Sequence, residues 1–270
     1  MLFVPIDIYY IIAEYCITLS LLDWIPLDKL DWFELSANSA AIDLLEANLD
    51  NIHWTQLSSN ESAVHLIEAN LDKISWGALS MNPEAMHLLI KNPEKINWIF
   101  LAFNTSQQAM YLLKENPNKF YIKMLLYNSA EWAINLLEEL DESDWDDTDW
   151  SILSGNPTKR AIHLLEANID KIDWKELSAN PAAIHLLEAN SDKIDWYRLS
   201  ENPTKCAVYH LSEINFDKID WNHLSANPEA IYLLKANLDK IDWRKLSRNP
   251  AIFRANQKEI IELAHQLAEY

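Results

Sequence analysis

Residues 174–195 have the sequence WKELSANPAAIHLLEANSDKID, and variants of this segment occur ten times in the 270 residues. Repetition at a short period is typical of a solenoid, in which each unit packs against its neighbours and is too small to fold alone. We therefore predict an all-α, superhelical solenoid of about ten two-helix repeats of 22–28 residues, each with a short α or 3₁₀ turn and a longer α-helix.

The anchor of every repeat is an asparagine, and successive anchors lie 22 to 28 residues apart. The ten anchors are Asn38, Asn60, Asn82, Asn104, Asn128, Asn156, Asn180, Asn202, Asn227 and Asn249. A leucine stands three residues before each anchor, and a tryptophan stands six before it except at Ile122. We interpret these positions as structural. In one repeat these structural residues are Trp54, Leu57 and Asn60. In another they are Trp174, Leu177 and Asn180, together with the following Pro181.

The step from Asn to Pro marks a helix start, because an asparagine side chain caps free amides and proline fits the first helical position. Pro181 therefore begins a predicted helix that runs to Ala189. The preceding element, residues 173–178, is long enough for only one or two turns. Asp173 is its predicted N-cap, with Glu176 as the capping-box partner three residues on.

Breaks in the repeat suggest the domain organisation. Residues 1–30 are predicted to cap the first repeat, residues 31–250 to form the solenoid with an acidic insertion at 138–149, and residues 251–270 to form a C-terminal capping helix. Ten units at a helix-packing distance of roughly 9 Å give a rod on the order of 90 Å long.

Composition narrows the functional classes. The net charge of −19 disfavours nucleic acid, which needs clustered Lys and Arg, and weakly favours a basic partner. Two cysteines provide no disulfide framework and indicate a reducing compartment, so we expect a cytoplasmic protein. The apolar stretch at residues 8–22 directly follows Asp7 and is interrupted by Glu14. We interpret it as a capping helix and expect no membrane partner.

No set of residues suggests catalysis. The chain has only Gly77 and Gly155, too few glycines for a phosphate-binding loop, and its recurring serines are accounted for by positions near helix ends. We therefore expect a non-enzymatic protein with no cofactor and no catalytic or metal residues.

Leu-Ser-x-Asn-Pro followed by Leu-Leu at 22 to 24 residues resembles the leucine-rich variant repeat, which alternates an α-helix with a 3₁₀-helix in a right-handed superhelix. The resemblance covers about residues 31–250. This chain differs by its many tryptophans and by lacking the N-terminal cysteine cluster of that family, so no iron–sulfur site is implied. The motif Asn-Pro-x-Ala-Ile-x-Leu-Leu-Glu-Ala-Asn, followed by Asp-Lys-Ile-Asp-Trp, also resembles tandem repeats of giant DNA viruses of amoebae. This resemblance suggests a viral protein in the host cytoplasm or in the virion.

The first candidate binding site is the acidic stretch at residues 138–149, where eight of twelve residues are acidic and none is Lys or Arg. It is either a solvated loop or a recognition loop for a basic peptide with Trp145 as an aromatic anchor. It lacks the glycine and the closing Glu of an EF-hand loop. Its candidate residues are Asp141, Asp144, Trp145, Asp146, Asp147 and Asp149.

The second candidate is a column of histidines and tyrosines on the longer helices. Units about 9 Å apart cannot bring neighbouring ligands to the 2 Å that zinc requires, so we interpret the column as an exposed stripe and a possible contact face. Its members are His65, His87, Tyr111, His163, His185, His210 and Tyr232. The variable pairs between Trp and Leu, such as Tyr197-Arg198, form the other candidate face.

Residues 4–15 resemble the opening of an F-box, which would dock on a Skp1-type adaptor. The expected function is protein–protein interaction through the repeats. The alternatives are an F-box-like substrate adaptor for a host ubiquitin ligase and a self-associating structural or virion component.

Overall fold

The computed structural model describes residue 9 and residues 18–140, 145–213, 216–255 and 257–268. This part of the chain is mainly helical, with one two-stranded antiparallel sheet of β1 (Leu19–Leu21) and β2 (Phe253–Ala255). The helices of the repeats are α1 (Trp32–Ser36), α2 (Ile42–Glu46), α3 (Trp54–Ser58), α4 (Val64–Glu68), α5 (Trp76–Leu79), α6 (Met86–Lys91), α7 (Trp98–Leu101), α8 (Gln107–Glu115), α9 (Glu131–Leu140), α10 (Asp147–Ser154), α11 (Lys159–Ala167), α12 (Trp174–Ser178), α13 (Ile184–Ala189), α14 (Trp196–Leu199), α15 (Lys205–Glu213), α16 (Trp221–Ser225), α17 (Ile231–Ala236) and α18 (Trp243–Ser247). A last helix, α19, spans Gln257–Ala268.

Each anchor asparagine defines a unit, numbered 1 to 10 along the chain. A unit contains a Trp helix (α1, α3, α5, α7, α10, α12, α14, α16 or α18) before the asparagine, and units 1 to 9 contain a second helix after it. In unit 5, where Ile122 replaces the tryptophan, the first element is a 3₁₀-helix, Ile122–Tyr127. In most units a 3₁₀ turn, such as Pro181–Ala183, precedes the second helix. The predicted helix from Pro181 to Ala189 is therefore a 3₁₀ turn followed by α13.

The predicted caps form at both ends of the unit. The Asn180 side-chain oxygen accepts a hydrogen bond from the Ala182 amide at 3.0 Å, and Asp173 accepts from the amides of Lys175 and Glu176. The Glu176 carboxylate pairs with Arg198 of the next unit at 2.6 Å, so the predicted capping box is replaced by a contact between units.

The anchor asparagines also join each unit to the one before it. The Nδ2 of Asn180 donates to the carbonyl oxygens of Ser154 and Asn156, both at 2.9 Å. The same pair of bonds occurs at all ten anchors. Every anchor is buried, so its amide replaces water as a hydrogen-bond donor to two backbone carbonyls of the preceding unit.

The recurring serine supplies a second connection. Ser178 Oγ donates to the Trp174 carbonyl within its own helix and accepts the amide of Asp195 in the next unit at 3.0 Å. Eight units have this serine bridge. The serine therefore does more than terminate its helix.

The stack of units closes on itself. The Nδ2 of Asn38 in unit 1 donates to the carbonyls of Ser247 and Asn249 in unit 10, at 2.9 and 3.1 Å. The Asp31 amide donates to Ser247 Oγ, and α1 packs against α18 as neighbouring Trp helices do elsewhere. These contacts replace the predicted open rod by a ring of ten units.

The Trp helices lie on the inner side of the ring. Neighbouring Trp helices approach each other along their backbones at most steps round the ring, whereas the second helices outside units 4 to 6 meet mainly through side-chain pairs such as His65–Glu46. Elements at a smaller radius must lie closer together. Ten helices at about 9 Å give about 30 Å between opposite axes, and an opening of roughly 20 Å once side chains are subtracted.

The core is a continuous layer between the inner and outer helices. It contains the leucine before each anchor, fully buried in every unit, and the leucines and isoleucines of the second helices. The tryptophans are half-buried, and a lysine from the turn that leads into the next unit lies over the ring of four of them, as Lys73 lies 5.0 Å from the Trp54 ring centre.

The described parts of the terminal segments meet at the seam between units 10 and 1. Leu19 pairs with Ala255, Leu21 pairs with Phe253, and the Leu22 amide donates to the Ile252 carbonyl. Tyr9 packs against Ile260 and Ala264 of α19. In the described residues, unit 1 and unit 10 cover each other directly. The rest of residues 1–17, including the F-box-like stretch, lies outside the description.

Substituting an anchor should destabilise the chain strongly. In Asn180→Ala, two buried carbonyls and one amide lose their partner, and we expect a loss of about 3–5 kcal/mol in the free energy of unfolding, measured in urea. Asn190→Ala is the control, because its amide bonds only to Leu186 in its own helix and the expected loss is about 1 kcal/mol. Equal losses in the two variants would contradict the inter-unit role.

Closure of the ring can be tested at the seam. Asn38→Ala should lower the free energy of unfolding as much as Asn180→Ala, because both amides bridge two units. In an open rod Asn38 would have no preceding unit, and its substitution would lower that free energy far less. Small-angle scattering should give a radius of gyration of about 20 Å for the ring, against about 27 Å for a rod of 90 Å.

Candidate functional site

The inner face is formed by three positions of each Trp helix. The first, second and fifth residues after the tryptophan lie on one side of the helix, because residues three and four apart are neighbours on a helix surface. The tryptophan, the leucine and the serine occupy the other side and pack or bridge between units. The three inner positions are therefore free to vary, and they include the variable pairs identified in the sequence.

Units 3 to 5 carry large apolar side chains at these positions and at the adjoining cap position. Tyr121 is 62% exposed, Tyr127 55%, Ile99 53%, Phe100 40% and Met81 37%. With the half-buried Phe103, whose ring lies 6.0 Å from that of Tyr127, these residues form what we call the aromatic patch. Most of the same positions in units 2 and 7 to 10 carry polar or small residues. Stacking of the units therefore does not require the patch.

A cleft continues from the patch into unit 6. Its volume is about 370 Å³, its walls include Tyr127, Ile152 and Gly155, and the Glu176 carboxyl group lies at one side. Gly155 has φ −84°, so its backbone suits any residue, and the missing side chain leaves the cleft open. In unit 3 the space beside Gly77 is taken by the Phe100 ring, which lies 3.5 Å from the position of a Cβ.

The inner face of units 7 to 10 is charged instead. Arg198 donates to Glu176 at 2.6 Å and to Glu201 at 2.5 Å. Burial opposes its charge, but Glu201 and Glu176 outweigh that effect and raise the pKa of Arg198. A hydrogen bond to Asp220 raises the pKa of Tyr197. This network connects three successive units and leaves the Glu176 carboxylate shared between Arg198 and the cleft.

The seam carries a similar group of charges. The Glu34 side chain is buried, and Arg244 and Arg248 of unit 10 approach it at 3.2 and 3.8 Å. The charged inner positions thus neutralise one another across units, in contrast with the aromatic patch.

Three of the described carboxylates of the acidic stretch are paired with cations. Glu138 pairs with Arg160 at 2.7 Å, Glu139 with Lys114 at 2.7 Å, and Asp149 with Lys123 at 2.5 Å. The cations come from other parts of the chain, so the run of acidic residues alone did not reveal them. Asp141, Glu142 and Asp144 lie outside the described residues.

The remaining residues of the stretch begin α10. Asp146 is the N-cap and forms a capping box with Asp149, whereas Asp147 is exposed. Trp145 is half-buried against the core, with its ring 5.5 Å from that of Trp150 in an edge-to-face contact. In this structure Trp145 packs against the core, and its role as an aromatic anchor for a basic peptide stays a prediction.

The column of histidines lies on the outer side of the ring. His65, His87 and His185 are exposed and pair with a glutamate of the preceding unit, at 2.6, 2.7 and 3.0 Å. His163 lines a groove of about 250 Å³ between α11 and α13, and Tyr111 and Tyr232 are more than half exposed. The column and the aromatic patch therefore face opposite sides.

One member of the column was misassigned. Leu211 aligns with the buried Leu113 and Leu165, which places Tyr209 in the column and His210 at the next position, where units 4 and 6 have leucine. The column position lies seven residues after the anchor in units 4, 6 and 8, against five in unit 7. Sequence analysis also missed the aromatic patch, although tabulating the inner positions unit by unit would have shown it.

Comparison with protein families, with curated proteins and with solved structures finds no match to this chain. Within the described residues, no helix has both the length and the apolar character needed to cross a bilayer.

The Lys123–Asp149 pair should contribute to stability as a unit, because Asp149 is buried and Lys123 largely so. We expect Lys123→Met and Asp149→Asn each to lower the urea midpoint, and the double variant to lose less than the sum. The hydrogen bond to Asp149 raises the pKa of Lys123, so the contribution is present below about pH 10.5 and is lost as pH rises through that raised pKa. Additive losses would indicate that the pair is not coupled.

Proposed function

We propose that this chain is a non-enzymatic ring that binds a segment of another protein on its inner face. The observation that carries the proposal is the aromatic patch of units 3 to 5. Contiguous exposed apolar surface of this kind marks interaction sites, and aromatic residues dominate binding energy at interfaces.

The repeated polar residues support a binding role over a catalytic one. The anchor asparagines and the recurring serines are engaged in the bonds between units, as Asn180 and Ser178 illustrate. Those side chains are therefore committed to the architecture, and what varies is the inner surface.

The partner we favour is a basic segment with an apolar or aromatic anchor. The anchor would lie on the patch, and the cleft beside Tyr127 offers an apolar wall with the Glu176 carboxylate at its side, which suits the stem and charge of a lysine or arginine. The net charge of −19 opposes association of two copies and disfavours nucleic acid. An opening of roughly 20 Å leaves room for one helix of about 10 Å or for an extended chain.

The test is selection from a random peptide display library, followed by affinity measurements on the selected peptides. We expect peptides that combine aromatic or aliphatic residues with Lys or Arg, and affinity that falls with salt. Tyr127→Ser and Gly155→Leu should each weaken binding by roughly thirtyfold, equivalent to about 2 kcal/mol, the first by removing an anchor and the second by filling the cleft.

Matched controls lie elsewhere on the ring. Tyr232 is as exposed as Tyr127 but lies in the outer column, so Tyr232→Ser should leave affinity unchanged. Ala226→Leu places the same side chain at the position of Gly155, three units away, and should also have no effect. Selection of acidic peptides, or equal losses in the control variants, would overturn the proposal. So would a dimer, seen by analytical ultracentrifugation, that Tyr127→Ser dissociates.

A further inference from the structure

The described part of the chain contains a group of three different metal-ligating side chains outside the inner face. Cys206 and His210 lie one turn apart on α15 in unit 8, and Glu188 lies at the end of α13 in unit 7. Cys206 Sγ is 3.2 Å from Glu188 Oε1 and 3.5 Å from His210 Nε2, and His210 Nε2 is 3.7 Å from Glu188 Oε1.

These separations can be compared with those of a tetrahedral zinc site. Bond lengths of about 2.3 Å to sulfur and about 2.0–2.2 Å to nitrogen and oxygen place neighbouring tetrahedral ligands about 3.4–3.6 Å apart. The three distances observed, from 3.2 to 3.7 Å, bracket that range. One ion could therefore contact all three atoms after shifts of a few tenths of an ångström.

The comparison between units shows what is special about unit 8. At the position of Cys206, unit 6 has Arg160, and at the position of His210 it has Leu164. The Arg160 guanidinium donates two hydrogen bonds to Glu138, the counterpart of Glu188, at 3.0 and 2.7 Å. In unit 6 a side chain therefore supplies the positive charge beside this glutamate, whereas in unit 8 a thiol and an imidazole replace it.

We infer that Glu188, Cys206 and His210 bind a zinc-type divalent cation, which joins units 7 and 8 in the place of the arginine. A thiolate, an imidazole and a carboxylate together suit zinc better than calcium or magnesium, which prefer oxygen ligands. The side chains of Glu188 and His210 are partly exposed, so an ion can enter and a water molecule can take the fourth position. Binding displaces the thiol proton of Cys206 to solvent.

Burial raises the pKa of the Cys206 thiol, and its hydrogen bond to Glu188 adds to this. The thiol then donates to the carboxylate. This arrangement keeps the three groups together before an ion arrives.

The proposal is tested by titrating the full chain, carrying Cys16→Ser so that Cys206 is the single thiol, with Co²⁺ as a spectroscopic probe for the zinc site. We expect one cobalt per chain, a thiolate-to-cobalt charge-transfer band in the near ultraviolet, and visible bands of tetrahedral intensity. Zinc should displace the cobalt and raise the melting temperature.

Two variants copy unit 6 and should fold as the parent does, as checked by circular dichroism. Cys206→Arg should abolish the charge-transfer band. His210→Leu should weaken zinc binding by at least about a hundredfold, since even residues outside the ligand shell change metal affinity by about 10- to 100-fold. His185→Leu is the control. His185 also pairs with a glutamate, Glu166, but the residue one turn before it is Pro181 and not a cysteine, so this variant should leave cobalt binding unchanged.

Absence of the charge-transfer band from the Cys16→Ser chain would overturn the inference, as would a band that survives Cys206→Arg. An effect of His185→Leu equal to that of His210→Leu would also overturn it, because it would indicate binding to surface histidine–glutamate pairs in general. None of these readouts depends on the peptide-binding function proposed above.

Discussion

The buried amide of the anchor asparagine is the interaction on which the structure depends. Its oxygen caps the turn that begins the second half of a unit, and its nitrogen bonds to two carbonyls of the preceding unit. Asparagine combines a donor and an acceptor on a side chain short enough to stay within the turn, a combination that aspartate lacks. A 22-residue unit buries too little apolar surface to fold alone and must be attached to its neighbour. The asparagine side chain does both, because it caps a turn in its own unit and bonds to the unit before it.

Closure of the ring follows when the same geometry is repeated ten times. Each unit is rotated relative to the last, and Asn38 finds in unit 10 the two carbonyls that every other anchor finds in the unit before it. A ring has no exposed end units, so the apolar layer between inner and outer helices is continuous. The positions that the layer does not use face either the opening or the outside. The aromatic patch and the Glu188–Cys206–His210 cluster both arise at such positions, where one or a few units depart from the common residue.

The repeat, its helix starts and its buried positions could be predicted from the sequence because each depends on residues within one unit. Asn180 and Asp173 act as the caps that their types and positions predicted, and Leu177 is fully buried. Charges were harder to interpret, because their partners lie in other units. The run from Glu138 to Asp149 has no local cation, yet Arg160, Lys114 and Lys123 reach three of its carboxylates. Trp145 likewise packs on Trp150 instead of facing solvent.

The sequence by itself determined the helical unit, its number of copies, its caps and its buried positions, since these follow from local hydrogen bonding and from the apolar pattern. Only the tertiary structure decided that the stack closes, because closure depends on the small rotation between units, which accumulates over ten steps and leaves no mark in any single repeat. Closure and stacking then decided which variable residues meet. Tyr127 reaches the cleft beside Gly155, and Cys206 reaches Glu188, because their units are neighbours in space while the residues are 28 and 18 positions apart in the chain.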